Sequence, residues 1–267
     1  GKITIIPVPY EGACSAQRGT ADGPKAIIRA SLNLELYDDE LGRDISKIGI
    51  RTLHEIDPES SPEDMVDEIE AVVAKELLKD NFPVIIGGCH TVTIGAVKAM
   101  RKRFNNLSVL SLDAHADLKD KYDGIRLSHA CVMARVNELC SSVTAGVRSL
   151  DKNEAQTIRN SDNPVFFAKE IVSKKDWHEK AISSLSENVY ITIDLDVFDP
   201  SIMASTGTPE PGGMLWYEVL AFLKKVCKKK NILGFDIVEL KPRKDEFSCD
   251  FLAAKLVYKM LGYCKGK

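Results

Sequence analysis

The sequence predicts an α/β protein with a mostly parallel sheet of about eight strands, each followed by a helix. Three observations carry this. Short, largely apolar runs such as Ile3–Val8, Leu107–Leu112 and Asn188–Ile193 alternate with longer stretches of helical periodicity. These runs lack the in-out alternation of half-exposed strands, as expected where helices cover both faces of a sheet. No linker, repeat or low-complexity tract breaks the alternation, so residues 1–267 read as one domain.

The elements follow in order. Ile3–Val8 is a strand that stops at Pro9, and a loop rich in small residues, Tyr10–Thr20, comes next. Asp22-Gly23-Pro24 opens a helix, because Pro suits a first turn whose N–H has no partner, and Ala26, Ile27 and Ala30 supply its apolar face. Lys47–Thr52 is a weaker strand. Ser61-Pro62-Glu63-Asp64 starts a helix with a capping Ser, Pro in the first turn and acids against the dipole. Val66, Ile69, Val73 and Leu77 continue it as an apolar stripe. Phe82–Ile86 is a strand ending in Gly87-Gly88-Cys89-His90, and it hands over to a helix from about Thr91 to Phe104. After Leu107–Leu112 come an Asp/His cluster, a polar loop Lys119–Leu127, and a helix from Ser128-His129 to about Leu139.

Strand Ser142–Val147, a helix after Asp151, strand Pro164–Ala168 and a helix around Asp176–Leu185 follow. Asn188–Ile193 is a buried strand that ends in Asp194-Leu195-Asp196. A loop with Gly207, Pro209, Pro211, Gly212 and Gly213 leads to a helix over 215–228, then strand Ile232–Val238 ending in Glu239, and a last helix from about Asp250 to Leu261. Both an open doubly wound sheet and a closed eight-fold barrel fit this order. In either, chemistry gathers at the carboxyl ends of the strands.

Composition narrows the function classes. A formal net charge of −3 gives no reason to expect a nucleic-acid or anionic-membrane partner. No apolar run approaches the roughly 20 residues that span a bilayer. The first residues lead straight into a strand pattern rather than a secretory leader. The Cys count of 7, with no Cys-x-x-Cys, points to a reduced, cytoplasmic setting rather than a disulfide scaffold.

His90, Asp113, His115, Asp117, Asp194, Asp196 and Glu239 all fall at carboxyl ends of predicted strands. If the backbone stays extended, Asp113, His115 and Asp117, at i, i+2 and i+4, turn to one side. Four Asp and two His bring too much oxygen for a structural zinc, but enough for two divalent ions with carboxylates between them, and the donor set suits Mn²⁺. Two cations about 3.5–4 Å apart can share a water and lower its pKa toward neutrality, which makes hydrolysis the natural reaction class. Bland alternatives stand beside each residue. The 113–117 stretch could be an exposed acidic turn, His90 a core or capping residue, His129 a surface residue at a helix start, and Glu239 a partner of Lys241 or Arg243. His54 and His178 have no motif around them and read as surface residues.

Gly87-Gly88-x-His90, Asp113-Ala-His115-x-Asp117 and Asp194-x-Asp196-x-x-Asp199-Pro200 resemble, in order and spacing, the motifs of the ureohydrolases, the family of arginase and agmatinase. The resemblance extends over nearly the whole chain, through Pro9-Tyr10-Glu11-Gly12, Arg18-Gly19-Thr20, Ser128-His129, Gly146-Val147-Arg148, Thr206–Gly213 and Glu239-Leu240-x-Pro242. It implies the open three-layer α-β-α fold of this family rather than the barrel, and a homotrimer or homohexamer. It implies two Mn²⁺ per subunit, one held by His90, Asp113, Asp117 and Asp194, the other by Asp113, His115, Asp194 and Asp196. It also implies that a metal-bridging hydroxide cleaves a small cationic guanidino substrate to urea and an amine. Asp117 would then accept a hydrogen bond from the nucleophile, Glu239 would pair with the guanidinium, and His129 would shuttle a proton.

The loop Lys119–Gly124 looks more like agmatinases than arginases, which favours agmatine, giving putrescine and urea. Arginine, guanidinobutyrate and formimidoylglutamate remain alternative substrates, and a catalytically idle regulatory homologue is the alternative outside enzymes. Asp151 matches a position that contacts the substrate α-amino group in arginases, and it also reads as a helix cap. Cys89 stands where the family often has an acid that orients the metal-binding imidazole, and a Cys would orient it less well. Ala130 replaces a common Gly after the Ser-His pair, which would narrow the substrate channel.

Overall fold

A computed structural model of the protein describes residues 2–14, 18–56, 61–173 and 176–265. Its centre is an open sheet of eight parallel strands. In chain order these are β1 (Ile3–Val8), β2 (Ile50–Thr52), β3 (Phe82–Gly87), β4 (Leu107–Leu112), β5 (Ser141–Val147), β6 (Val165–Phe167), β7 (Asn188–Asp194) and β8 (Asn231–Val238). In space they run β2-β1-β3-β8-β7-β4-β5-β6, so the barrel is excluded. The helices are α1 (Gly23–Ser31), α2 (Pro62–Leu77), α3 (Val92–Arg103), α4 (Val132–Asn137), α5 (Lys152–Arg159), α6 (Ala168–Ser173), α7 (Trp177–Ser184), α8 (Trp216–Lys229) and α9 (Ser248–Lys265).

Successive strand residues face opposite layers, and the core divides accordingly. Ile3, Ile5, Val84 and Ile86 pack with Ile27 and Ala30 of α1, Phe222 of α8 and Leu256 of α9. Ile6, Val8 and Ile85 pack on the other face with Met65 and Ile69 of α2, Val97 of α3 and Val132 of α4. A strand sandwiched this way gains nothing from polar alternation, which explains the apolar runs in the sequence.

Some local expectations give way to stronger terms. Of the predicted strand Lys47–Thr52, only Ile50–Thr52 pairs with β1; Ile45–Ile48 is a 3₁₀ turn. The Asp44 carboxylate accepts the Ser46 N–H there, and Gly49, at φ 87, turns the chain into the strand. A two-residue hairpin, Tyr37-Asp38 against Arg43-Asp44, gave no signal in the sequence. The expected strand Pro164–Ala168 is shorter, Val165–Phe167, because Ala168 begins α6. The helix expected from Ser128 starts as a 3₁₀ turn, His129–Cys131, before α4. Ser61 caps α2 as expected, accepting from the Asp64 N–H at 3.1 Å. Part of the predicted loop Tyr10–Thr20, residues 15–17, lies outside the described residues. Among the described residues no helix is long and apolar enough to cross a membrane.

Candidate metal centre

The strand order determines where the site lies. From β3 the chain crosses over β8 and β7 to reach β4, so β3, β8, β7 and β4 are neighbours in the sheet. Their carboxyl ends deliver His90, Glu239, Asp194 and Asp113 to one place. Such a change of direction is where ligands bind in open α/β sheets. Gly88 lets the segment after β3 pass Tyr10: a Cβ on it would lie 2.4 Å from the Tyr10 carbonyl oxygen. The Cys89 N–H donates to that same oxygen at 2.7 Å, which seats His90 over the sheet.

His90 Nδ1 lies 3.3 Å from Asp113 Oδ2, 3.1 Å from Asp117 Oδ2 and 3.5 Å from Asp194 Oδ2. His115 Nδ1 lies 2.9 Å from Asp196 Oδ2 and 3.7 Å from Asp113 Oδ1. Asp113 therefore stands between two groups of ligating atoms, His90/Asp113/Asp194 and Asp113/His115/Asp196. The expectation of an extended backbone through 117 fails at its end. Asp117 is left-handed, at φ 51, and so is Glu239, at φ 66. Each such non-Gly residue costs roughly 1–2 kcal/mol, and here that strain turns the carboxylate toward the cluster.

Asp113, Asp117, Asp194, Asp196 and Glu239 are all buried, with two imidazoles among them. Burial pushes Asp117 up to about 7, with the Asp113 charge adding to it, and burial likewise pushes Glu239 up to about 7. Burial, Asp196 and Asp113 hold Asp194 well above the usual carboxylate range. Burial opposes a charged His115, yet Asp113 and Asp196 outweigh it and push the imidazole up to about 12. His90 Nδ1 and Asp113 Oδ2 face each other with no hydrogen-bond partner for either atom. Buried polar atoms without partners are costly. Divalent cations between these oxygens and nitrogens would satisfy them and offset the excess negative charge, so the donor set fits a pair of such ions.

The other nitrogen of His90 shows why Cys89 does not leave the ring loose. Nε2 lies 2.9 Å from Thr192 Oγ1, and Thr192 donates at 2.6 Å to Asp236 Oδ1. Thr93 and Tyr190 donate to Asp236 Oδ2 at 2.9 and 2.8 Å. A hydroxyl backed by a buried carboxylate thus orients the imidazole from the sheet side. Sequence reading missed this relay, although a signal was there: Tyr190, Thr192 and Asp236 are polar residues within largely apolar strand runs, and all three are buried. The sequence marked Arg148 as part of the resemblance without giving it a role; its guanidinium donates to the carbonyls of Asp196 (2.6 Å), Phe198 (3.2 Å) and Glu210 (2.8 Å) and so braces the loop that carries Asp196.

A pocket of about 310 Å³ opens over the cluster, lined by Asp117, Asp194 and Glu239 at its base and by Tyr122, His129, Asp151 and Glu154 on its walls. Glu239 is not paired as a strand-end acid on the surface: Oε1 accepts the His90 N–H at 2.8 Å. His129 Nε2 is buried without a partner, and burial, then the charges on His90 and His115, push its pKa down to about 4. Ala130 lines the same pocket, as its place after His129 suggested. Asp151 caps α5 in a capping box with Glu154, and Lys119 Nζ sits 2.5 Å from Asp151 Oδ2 and 3.0 Å from Glu154 Oε2. The structure corrects one surface expectation: His54 is exposed, but His178 is half-buried, stacked on Phe222 with ring centroids 5.0 Å apart.

With this geometry in view, comparison with known proteins is informative. A sequence profile of the Arginase family matches residues 1–262. An N(1)-aminopropylagmatine ureohydrolase of Synechocystis is 38% identical over 270 residues, covering 98% of this chain and 88% of that protein. An agmatinase of Pyrococcus horikoshii is 35% identical over 266 residues, covering 97% and 90%. The crystal structure of an agmatine ureohydrolase of Thermoplasma volcanium superposes with a TM-score of 0.88 at 28% identity, covering 99% of this chain and 90% of that one.

Proposed function

Given that this chain belongs to the arginase family, whose members hydrolyse guanidino or amidino C–N bonds, we propose that it is a single catalytic domain that cleaves agmatine, or an agmatine extended at its amine, to urea and the free amine. One observation supports an amine-tailed substrate over arginine. Lys119 is the sole Lys or Arg among the described pocket-lining residues, and Asp151 and Glu154 already hold it. Two carboxylates against one ammonium leave this wall net negative, which suits a cationic tail and, among the described residues, offers no unengaged cation to an α-carboxylate. The name of the Synechocystis relative supports the extended agmatine as the second reading.

In this proposal His90, Asp113, Asp117 and Asp194 would hold one divalent cation and Asp113, His115, Asp194 and Asp196 would hold the other. Mn²⁺ is the proposed ion, since the donors are mostly oxygen with some imidazole. When bound, the ions supply a water acidic enough to serve as a nucleophile near neutral pH. Glu239 receives the guanidinium, whose planar N–H fork matches a carboxylate. The strained backbone at Glu239 and the His90 N–H on Oε1 fix that carboxylate before substrate arrives. Asp117 accepts the proton of the attacking water and passes it to the leaving nitrogen, and His129 carries protons between that nitrogen and the pocket. Asp151 serves mainly as the α5 cap and as the anchor of Lys119, and reaches only the outer part of the substrate tail.

The subunits are proposed to assemble as trimers or hexamers, which the exposed Leu215, Tyr217 and Phe247 support. A cytoplasmic setting belongs to the same proposal, since all seven cysteines are free thiols. The test is urea release by Mn²⁺-loaded protein with agmatine, N(1)-aminopropylagmatine and arginine side by side. One of the two amines should exceed arginine in kcat/KM by more than about a hundredfold, the cost of leaving a buried charge unmatched. Arginine turned over as well as either amine would overturn the substrate class, and no urea from any of them would overturn the reaction.

A further inference from the structure

Beside the His/Asp cluster lies a second group of ligating atoms, two of which, the Cys14 and Cys89 thiols, have no part in this hydrolysis. Cys14 Sγ, Cys89 Sγ and a Glu239 carboxylate oxygen all lie within 4.8 Å of one another. Cys14 Sγ is 3.8 Å from Glu239 Oε1, and Cys89 is fully buried. Tyr10 gives an independent observation. Its ring is fully buried, its hydroxyl has no hydrogen-bond partner among the described residues, and its carbonyl oxygen accepts the Cys89 N–H at 2.7 Å. A buried O–H without an acceptor beside this segment is a polar group still to be satisfied.

We propose that Cys14, Cys89 and Glu239 form a third cation site, for a thiophilic divalent ion such as Zn²⁺ or Cd²⁺, distinct from the oxygen-rich pair. Thiolates select such ions, and three protein ligands with one open position is a common zinc arrangement. Zn–S bonds of about 2.3 Å meeting at tetrahedral angles place two sulfurs about 3.8 Å apart, within the span these atoms already keep. As the cation enters, two S–H protons leave for solvent and two metal–sulfur bonds form; nothing is oxidised. Occupation engages Glu239, so the cation and the guanidinium compete for one carboxylate. That last consequence rests on the reading of Glu239 given above.

The probe is Cd²⁺ titrated into Mn²⁺-loaded protein, read by the ultraviolet thiolate-to-cadmium absorption band, with retained Mn²⁺ measured alongside to confirm that each variant is folded. One equivalent per chain should produce the band. Cys14→Ser and Cys89→Ser should each diminish it and weaken binding by more than about tenfold, the loss expected even for an outer partner of a metal ligand. Cys227→Ser, which breaks the other close pair of thiols, Cys227 Sγ and Cys264 Sγ at 3.5 Å, should leave the band of the first equivalent unchanged, and loss of that band in this variant overturns the assignment to Cys14 and Cys89. Absence of the band, or a band that survives both serine variants, overturns the site. Guanidinium chloride at millimolar concentration should shift the Cd²⁺ midpoint upward. A band that needs both cysteines but ignores the guanidinium ion keeps the cation site and overturns the role given to Glu239.

Discussion

Two clusters of buried charge sit in this molecule, and they are built on opposite rules. At the hairpin, Asp38 is fully buried, but Lys259 Nζ lies 3.0 Å from its Oδ2 and 3.2 Å from Glu40 Oε2. Lys224 adds a contact to Glu40 at 2.7 Å, and the Tyr263 hydroxyl donates to it at 2.5 Å. Every charge there has a counter-charge supplied by the chain. At the carboxyl ends of β3, β8, β7 and β4, five buried acids meet only two imidazoles, so carboxylates outnumber the imidazoles by three. A protein that only needed stability would complete the second cluster as it completed the first. Under the proposed function that excess of carboxylates equips the site to take cations from solution, and it makes the metal-free fold weaker there.

The largest effect that tests this contrast is catalytic. Asp117→Asn is expected to cut urea release by about 10²–10⁴-fold, the usual worth of a positioned proton carrier. The unfolding midpoint of the metal-free protein should fall little, because the substitution removes a carboxylate that burial already pushes up to about 7. Unchanged turnover would sink the role of Asp117. The mirror experiment is Lys259→Met, which leaves Asp38 buried beside Glu40 with its cation gone. Denaturant unfolding should show a loss of about 3–5 kcal/mol, while urea release per native molecule stays at the parent value. A loss of turnover in the surviving native fraction would erase the distinction between the two clusters.

Metal removal comes next in size. A cation that binds only the folded state at a hundred times its Kd stabilises by about 2.7 kcal/mol, so excess chelator should lower the Tm of the parent protein. In Asp194→Asn the chelator should make almost no difference. The chelated variant should melt at or above the chelated parent, since Asp194 is held well above the usual carboxylate range by burial and by Asp196 and Asp113. A chelated variant that melts well below the parent would mean that Asp194 is structural, like Asp38.

Much of this contrast was legible in the sequence, and the illegible part has a common cause. The residues that meet in the His/Asp cluster were legible because each motif is local: His90, the 113–117 stretch and the 194–196 pair each follow an apolar run. The open sheet could not be told from a barrel by periodicity, because both bury strands on two faces; strand order settles it. What stayed hidden were long-range pairings. Thr192 touches His90 from 102 residues away, and Lys259 reaches Asp38 from 221. Nothing near Lys259 in the chain distinguishes it from a solvated lysine, and nothing near Asp38 marks it as buried. The hairpin that holds Asp38 is two residues a side, too short for any pattern.

The smallest expected effect carries the comparison to the amino ends of the strands. Glu76, at the end of α2, accepts from Lys79 and Asn81 at 2.8 Å each, from Thr4 of β1 at 3.1 Å and from Arg51 of β2. It is a charge-complete cluster like the one at Lys259. Burial opposes its carboxylate, but Lys79, Asn81 and Arg51 together outweigh burial and hold its pKa down to about 2 from an ordinary 4.5. A carboxylate depressed on folding contributes stability that is present above pH 4.5 and disappears as pH falls through 2. Glu76→Gln should therefore cost about 1.5–3 kcal/mol at pH 7, as expected for a hydrogen bond to a charged group, with urea release unaffected. The gap in unfolding free energy between variant and parent should shrink steadily as pH falls below 4.5 and be nearly closed by pH 2. A gap of constant size over that range would show that Glu76 acts through packing rather than charge, and the rule drawn from the hairpin would not extend to this end of the sheet.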